Sequence, residues 1–136
     1  MDEVAGWKAE GIDVVVSLLE PDEVAELGLR QLPMSCRTTD IEFVPFPIPD
    51  RSVPASMTET ERLVRRLSDA LAAGKAVAVH CRAGIGRSAL IAACVLVCNG
   101  YQVDAAFDTI AKARGVEVPD MEAQRAWVSA FLTATA

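Results

Sequence analysis

Residues 1–136 are expected to form one α/β domain with a mostly parallel central sheet flanked by helices, and three observations predict it. Short apolar runs alternate with longer helix-patterned segments, the order that buries a parallel sheet between helices. A glycine-containing string, residues 80 to 88, joins one apolar run directly to an apolar helix. The chain has 136 residues of which 51% are hydrophobic, enough for one real core and too few for two.

Taken in order, Asp2 to Glu10 is helix-patterned and Ile12 to Leu18 is a nearly continuous apolar strand. Pro21 to Leu27 reads as a short helix, and an irregular stretch containing Cys36 follows. Ile41 to Ile48 is a strand ending in prolines, and Pro49 to Pro54 is a proline-framed loop too stiff to continue as helix. Thr58 to Ala73 is a long amphipathic helix, and Lys75 to Val79 is the next strand. Helices are expected at Ser88 to Val97, Val103 to Ala113 and Asp120 to Leu132, the last with Asp120 as its N-cap. No internal repeat, low-complexity tract or linker interrupts this order.

Composition narrows the function. The net charge of −6 argues against nonspecific nucleic-acid binding and against anionic membranes. The longest apolar run, Ala89 to Cys98, falls well short of the roughly 20 residues of a membrane span, and the N-terminus is acidic rather than basic. A cytoplasmic monomer is expected. Cys36, Cys81, Cys94 and Cys98 show no metal-like pairing with histidine, so neither metal nor cofactor is expected. Cys94 and Cys98 share one helix face and read as core residues. The role of Cys36 is open, and a backup disulfide protecting Cys81 from oxidation is an alternative.

His80-Cys-Arg-Ala-Gly-Ile-Gly-Arg-Ser88 carries the chemistry. It lies on a strand-to-helix turn, where the first amides of a helix lack intrahelical partners and the helix dipole adds partial positive charge. An anion fits there. Gly84 and Gly86 let successive amides of Arg82, Ala83, Gly84, Ile85, Gly86 and Arg87 converge, and the Arg87 fork can grip two phosphate oxygens. The same field favours thiolate at Cys81, the nucleophile. His80, the only histidine, is expected to be a structural hydrogen-bonder on the opposite face. Ser88 is close enough in sequence to donate to the Cys81 sulfur and ease its departure. A cysteine six positions before an arginine is common by chance, but the glycines, the hydroxyl and the strand-loop-helix context together are not.

This string resembles the signature loop of the cysteine-based protein tyrosine phosphatases, Cys, five residues, Arg, then Ser or Thr, and the chain is similar to a small dual-specificity-like member. The resemblance implies hydrolysis of phosphate monoesters through a phosphocysteine intermediate, with phosphotyrosine, and also phosphoserine or phosphothreonine, in proteins as substrate. It further implies an aspartate on a separate loop that protonates the leaving oxygen. Asp50, in the proline-framed loop, fits that position, although an Asp-initiated turn is the ordinary alternative. Asp40 is the nearest competitor but precedes the strand. Gln124 falls where relatives carry a glutamine that orients the hydrolytic water, and a solvated surface residue is the alternative there. Arg114 resembles a residue that braces the loop. Arg51 and Arg82 are expected to flank the pocket mouth and draw in phosphate. One arginine and one isoleucine at the variable loop positions, instead of a lysine pair, favour protein phosphoester over inositol lipid. The chain departs from the pattern at its start, where relatives place a further strand, so an exposed sheet edge is expected. Two other readings stay open: a phosphate-recognition module with little or no turnover, and a sulfur- or arsenate-handling thiol enzyme on a similar loop.

Overall fold

The computed structural model describes residues 3–82, 86–115, 118 and 122–135. Val14, Val15 and Val16 give the chain a strand that must be buried on both faces, and β1 (Val14–Ser17) accordingly occupies the centre of the sheet with every residue buried. It pairs in parallel with β2 (Glu42–Pro45) on one side and with β3 (Val77–His80) on the other. Among the described residues these three strands form one sheet, in the order β2-β1-β3. The registers align Ser17 with both Pro45 and His80, so the three strands end level.

Helices cover both faces. On one side α1 (Glu3–Ala9) and α3 (Leu32–Thr38) bury Val4, Leu32 and Cys36 against Val15 and Ile41. On the other, the larger core joins Val14, Val16 and Val44 to α4 (Met57–Ala72), α5 (Gly86–Cys98), α6 (Val103–Arg114) and α7 (Glu122–Thr135). Alternation along the strands decides which residue faces which layer. α4 starts at Ser56, whose hydroxyl accepts from the Glu59 amide at 3.1 Å, and turns Leu63, Val64 and Leu67 inward. α5 is apolar nearly all round and packs against α4, α6, α7 and β3. Truncating its fully buried Leu90 to alanine should cost about 2–5 kcal/mol, measured by urea denaturation.

Two expectations are corrected. The stretch around Cys36 is not irregular. It is the helix α3, with Pro33 in its first turn and Cys36 fully buried one turn after Leu32. Only those two positions face the core, too few to show a periodicity in Leu-Pro-Met-Ser-Cys-Arg-Thr. Of the two cysteines expected in the core of α5, Cys94 is buried but Cys98 is exposed. Burial pushes the Cys94 thiol far above its usual range, which keeps it inert. The remaining boundaries move by a residue or a few. β3 runs on through His80, and the short helix α2 (Pro21–Glu26) falls where expected.

Candidate active site

The level strand ends bring three connections together at the carboxyl edge of the sheet, where ligands of α/β folds bind. β1 leads into α2, β2 into the segment from Phe46 to Ser56, and β3 into the string ending in α5. Backbone hydrogen bonds lash these exits together. Leu18 donates to the His80 carbonyl at 2.8 Å, Phe46 to Ser17 at 2.8 Å and Ile48 to Leu18 at 3.0 Å.

Arg87 stands at their junction, in the first turn of α5 and only 3% exposed. Its Nη1 donates to Glu23 Oε1 at 2.7 Å and to the Ile48 carbonyl at 3.0 Å, and its Nη2 to Glu23 Oε2 at 2.9 Å. Nη2 also lies 3.4 Å from Asp50 Oδ1. The hydrogen bond to Glu23 raises Arg87 above its ordinary value against the opposing effect of burial, and the negative charges of Glu23 and Asp50 add to it. The guanidinium is a fixed cation.

Glu23 was not anticipated from the sequence. Pro21 opens α2, and Glu23 at the third helical position accepts from the Glu20 amide at 3.0 Å, which orients its carboxylate. The same carboxylate then takes both terminal nitrogens of Arg87 in a buried bidentate pair. The pattern Glu20-Pro21-Asp22-Glu23 was the local signal, but it announces only a helix start. The partner lies 64 positions away.

The hydrogen bond from Arg87 holds Glu23 below the ordinary carboxylate value against burial, which works the other way. A depressed acid stabilises the fold fully above its unfolded value, about 4.3, and that contribution is lost as pH falls through the lower folded value. Glu23→Gln should therefore cost about 3–5 kcal/mol at neutral pH by leaving Arg87 underpaired. Denaturant titrations should show the gap from the parent closing as the acid range is entered.

Cys81 follows β3 directly. It is half-buried at the edge of the larger core, and its thiol donates to the Arg82 carbonyl at 3.4 Å. Gly86 opens α5 and Ser88 is buried in the same first turn. The expected amide cradle rests also on Ala83, Gly84 and Ile85, which lie outside the described residues, as does the expected cap Asp120. The Arg82 side chain turns to α2, where it pairs with Glu26 at 2.8 Å. His80 closes β3 and meets the Trp7 ring edge-on, with centroids 5.6 Å apart.

Asp50 follows β2 and Asp40 precedes it, so the two aspartates occupy opposite ends of the strand. Asp50 sits in a tight turn closed by the Ser52 amide donating to the Pro49 carbonyl at 3.1 Å. Arg51 takes a left-handed backbone there, φ 55°, a strained state for a residue with a Cβ. The Asp50 side chain is 63% exposed, facing Arg87 across the open end of the sheet. Gln124, on α7, is fully buried, and its Nε2 donates to the Ser52 carbonyl at 3.3 Å. The solvated alternative for Gln124 is thereby excluded. Its spacing to Val128 and Phe131, both buried, places it on the inward stripe of α7, a signal already present in the sequence.

Residues 1–101 match the family described as Tc-R-P, polymorphic toxin system, DSP-PTPase phosphatase. That span contains Glu23, Asp50, Cys81 and Arg87 but not Gln124. Protein tyrosine phosphatase domain-containing protein 1 of Mus musculus is 38% identical over 96 residues, 65% of this chain and 13% of that protein. Its Bos taurus counterpart is 35% identical over 99 residues, 67% of this chain and 12% of that protein. The chain thus spans a small fraction of the length of these relatives. Among solved structures, kinase associated phosphatase with its catalytic-site cysteine replaced by serine superposes with a TM-score of 0.86 at 20% identity, over 97% of this chain and 75% of that one. The active form of Tk-PTP gives 0.81 at 25% identity, over 98% of this chain and 86% of that one. The fold is therefore that of the dual-specificity-like phosphatases, and the family match over residues 1–101 makes this chain a member of the polymorphic-toxin DSP-PTPase family.

Proposed function

We propose that residues 1–136 act as one phosphatase domain that hydrolyses phosphate monoesters of phosphotyrosine, and of phosphoserine or phosphothreonine, through a phosphocysteine. The observation that carries this reading is Arg87, held rigid by Glu23 beside Cys81 and 3.4 Å from Asp50. An arginine fixed by a carboxylate behind it presents charge without reorganising when the transition state forms, and this is where electrostatic catalysis is strongest.

Cys81 Sγ attacks phosphorus as thiolate, forming the S–P bond while the P–O bond to the leaving group breaks in line. Arg87 and the amides of Arg82, Ala83, Gly84, Ile85 and Gly86 hold the equatorial oxygens. Asp50 gives its proton to the departing oxygen. In the second step Asp50 takes a proton from water, the new O–P bond forms, the S–P bond breaks, and Ser88 donates to the sulfur as it leaves. Gln124, whose Nε2 donates to the Ser52 carbonyl, supports the loop that carries Asp50. Charge neutralisation comes from the protein itself, so the reaction needs no metal or cofactor. Arg51, exposed beside Asp50, adds positive charge to the rim that receives a phosphorylated protein, while the expected contribution of Arg82 is tied up in its pair with Glu26. Among the described residues no helix is long and apolar enough to cross a membrane, and the acidic chain is proposed to work as a cytoplasmic monomer without nucleic acid or lipid partners.

Hydrolysis of para-nitrophenyl phosphate in the presence of EDTA tests the reading. Turnover that survives chelation is expected. A folded chain that binds vanadate but releases no nitrophenol would instead be a phosphate-recognition module.

A further inference from the structure

Among the described residues Asp50 has no hydrogen bond or ion pair beyond that with Arg87, and its carboxylate is mostly exposed. Its reach is set by the backbone on either side. Two residues before it, the Ile48 carbonyl accepts from Arg87 at 3.0 Å, while Ile48 itself is fully buried. Two residues after it, the Ser52 carbonyl accepts from Gln124 Nε2 at 3.3 Å. Between these ties the turn is closed by Ser52 on Pro49 and strained at Arg51. Both backbone polar groups of Ser52 are therefore committed, one to the turn and one to α7. A strained turn persists only when its surroundings over-determine it.

The identity of residue 124 calls for explanation in its own right. It lies on the inward stripe with Val128 and Phe131, where leucine or methionine would bury at no polar cost. Its Oε1 is buried and finds no hydrogen-bond partner among the described residues. A half-satisfied amide in an apolar layer is unfavourable for packing alone. Among the described residues its one partner is the Ser52 carbonyl.

From this geometry we infer that Gln124 is a positioning residue that tethers the turn bearing Asp50 to α7 and so sets the distance over which Asp50 delivers its proton. The inference rests on the assignment of Asp50 proposed above. It differs from a role in orienting water, because a tether acts on the first chemical step, when the leaving group needs its proton. Arg87 fixes the entrance of the turn and Gln124 its exit. The C-terminal helix thereby becomes part of the acid machinery even though it contributes no reacting atom.

The test is a leaving-group comparison in two backgrounds. Gln124→Met keeps the length and apolar stem and removes the donor. It should lower kcat/KM for phenyl phosphate by about 10–100-fold, the cost of a misplaced catalytic group. Para-nitrophenyl phosphate, whose leaving group needs little protonation, should lose much less. In an Asp50→Asn background the same substitution should cause no further loss with phenyl phosphate. Equal losses on both substrates, or the full loss without Asp50, would overturn the tether. So would a burst of nitrophenol with only the later step slowed, which is the signature of water orientation. Should Gln124→Met fail to fold, Gln124→Glu preserves the shape and sets a carboxylate against the Ser52 carbonyl, and the same contrast is expected. Amide hydrogen exchange supplies a readout that needs no turnover: the Ser52 amide should exchange faster in the variant, and unchanged exchange would contradict the tether. Faster exchange without the kinetic contrast would overturn the catalytic role while leaving the phosphatase reading intact. A parent chain without turnover would overturn both.

Discussion

Cys81→Ser should abolish turnover, by at least about 10⁴-fold, the order of loss when a covalent nucleophile is removed. Serine keeps the shape of the side chain but not its ionisation, and an alcohol beside Arg87 is a poor nucleophile toward phosphorus. The anion site itself stays in place. Arg87 owes its position to Glu23 and the Ile48 carbonyl rather than to the sulfur, so the guanidinium remains poised in the variant. Isothermal titration with vanadate or phosphate should therefore find binding preserved while hydrolysis is lost. Turnover at the parental rate would remove Cys81 from the mechanism.

Asp50→Asn should lower the rate by about 10²–10⁴-fold, the usual contribution of a positioned general acid. The loss should be large for phosphotyrosine peptide and smallest for substrates with good leaving groups. Asparagine is isosteric and carries no transferable proton. Little change in stability is expected, because the Asp50 side chain is 63% exposed and its contact with Arg87 is long, at 3.4 Å. A steady-state comparison on both substrate types separates this outcome from misfolding. If the variant matches the parent on phosphotyrosine peptide, the acid lies elsewhere in the chain.

Much of this architecture was legible because it is local. The valines of β1 and the apolar face of α4 announce themselves by periodicity, and the strand-loop-helix passage from Val77 to Ser88 carries its chemistry in one continuous string. Asp50 was legible for a related reason, since prolines mark the loop that bears it. What escaped was cooperative across the fold. α3 contributes only Leu32 and Cys36 to the core, so its pattern is lost among polar neighbours. Glu23 looks like an ordinary residue in the first turn of a short helix until the parallel sheet brings it under Arg87. Gln124 was placed near the site only by resemblance; its inward position follows from its spacing to Val128 and Phe131, but its bond to Ser52 depends on how α7 docks against the core.

These cases share a physical cause. Capping, turn chemistry and amphipathic stripes are decided within a few residues, whereas buried polar pairs are decided by topology. The site depends on both kinds. Its proposed reacting groups are local to loops, whereas Glu23, which pairs with Arg87, and Gln124, which bonds Ser52, come from α2 and α7, distant in sequence.

The central claim is that Cys81 forms a covalent phosphoryl intermediate, and trapping that intermediate tests it most directly. The Asp50→Asn variant, mixed with a radiolabelled phosphoester bearing a good leaving group and quenched in acid within one turnover, should accumulate label because its second step lacks a base. Digestion should then place the label on the peptide containing Cys81, with none in the Cys81→Ser counterpart. Hydrolysis proceeding with no label on any peptide, or with label on a residue other than Cys81, would contradict it.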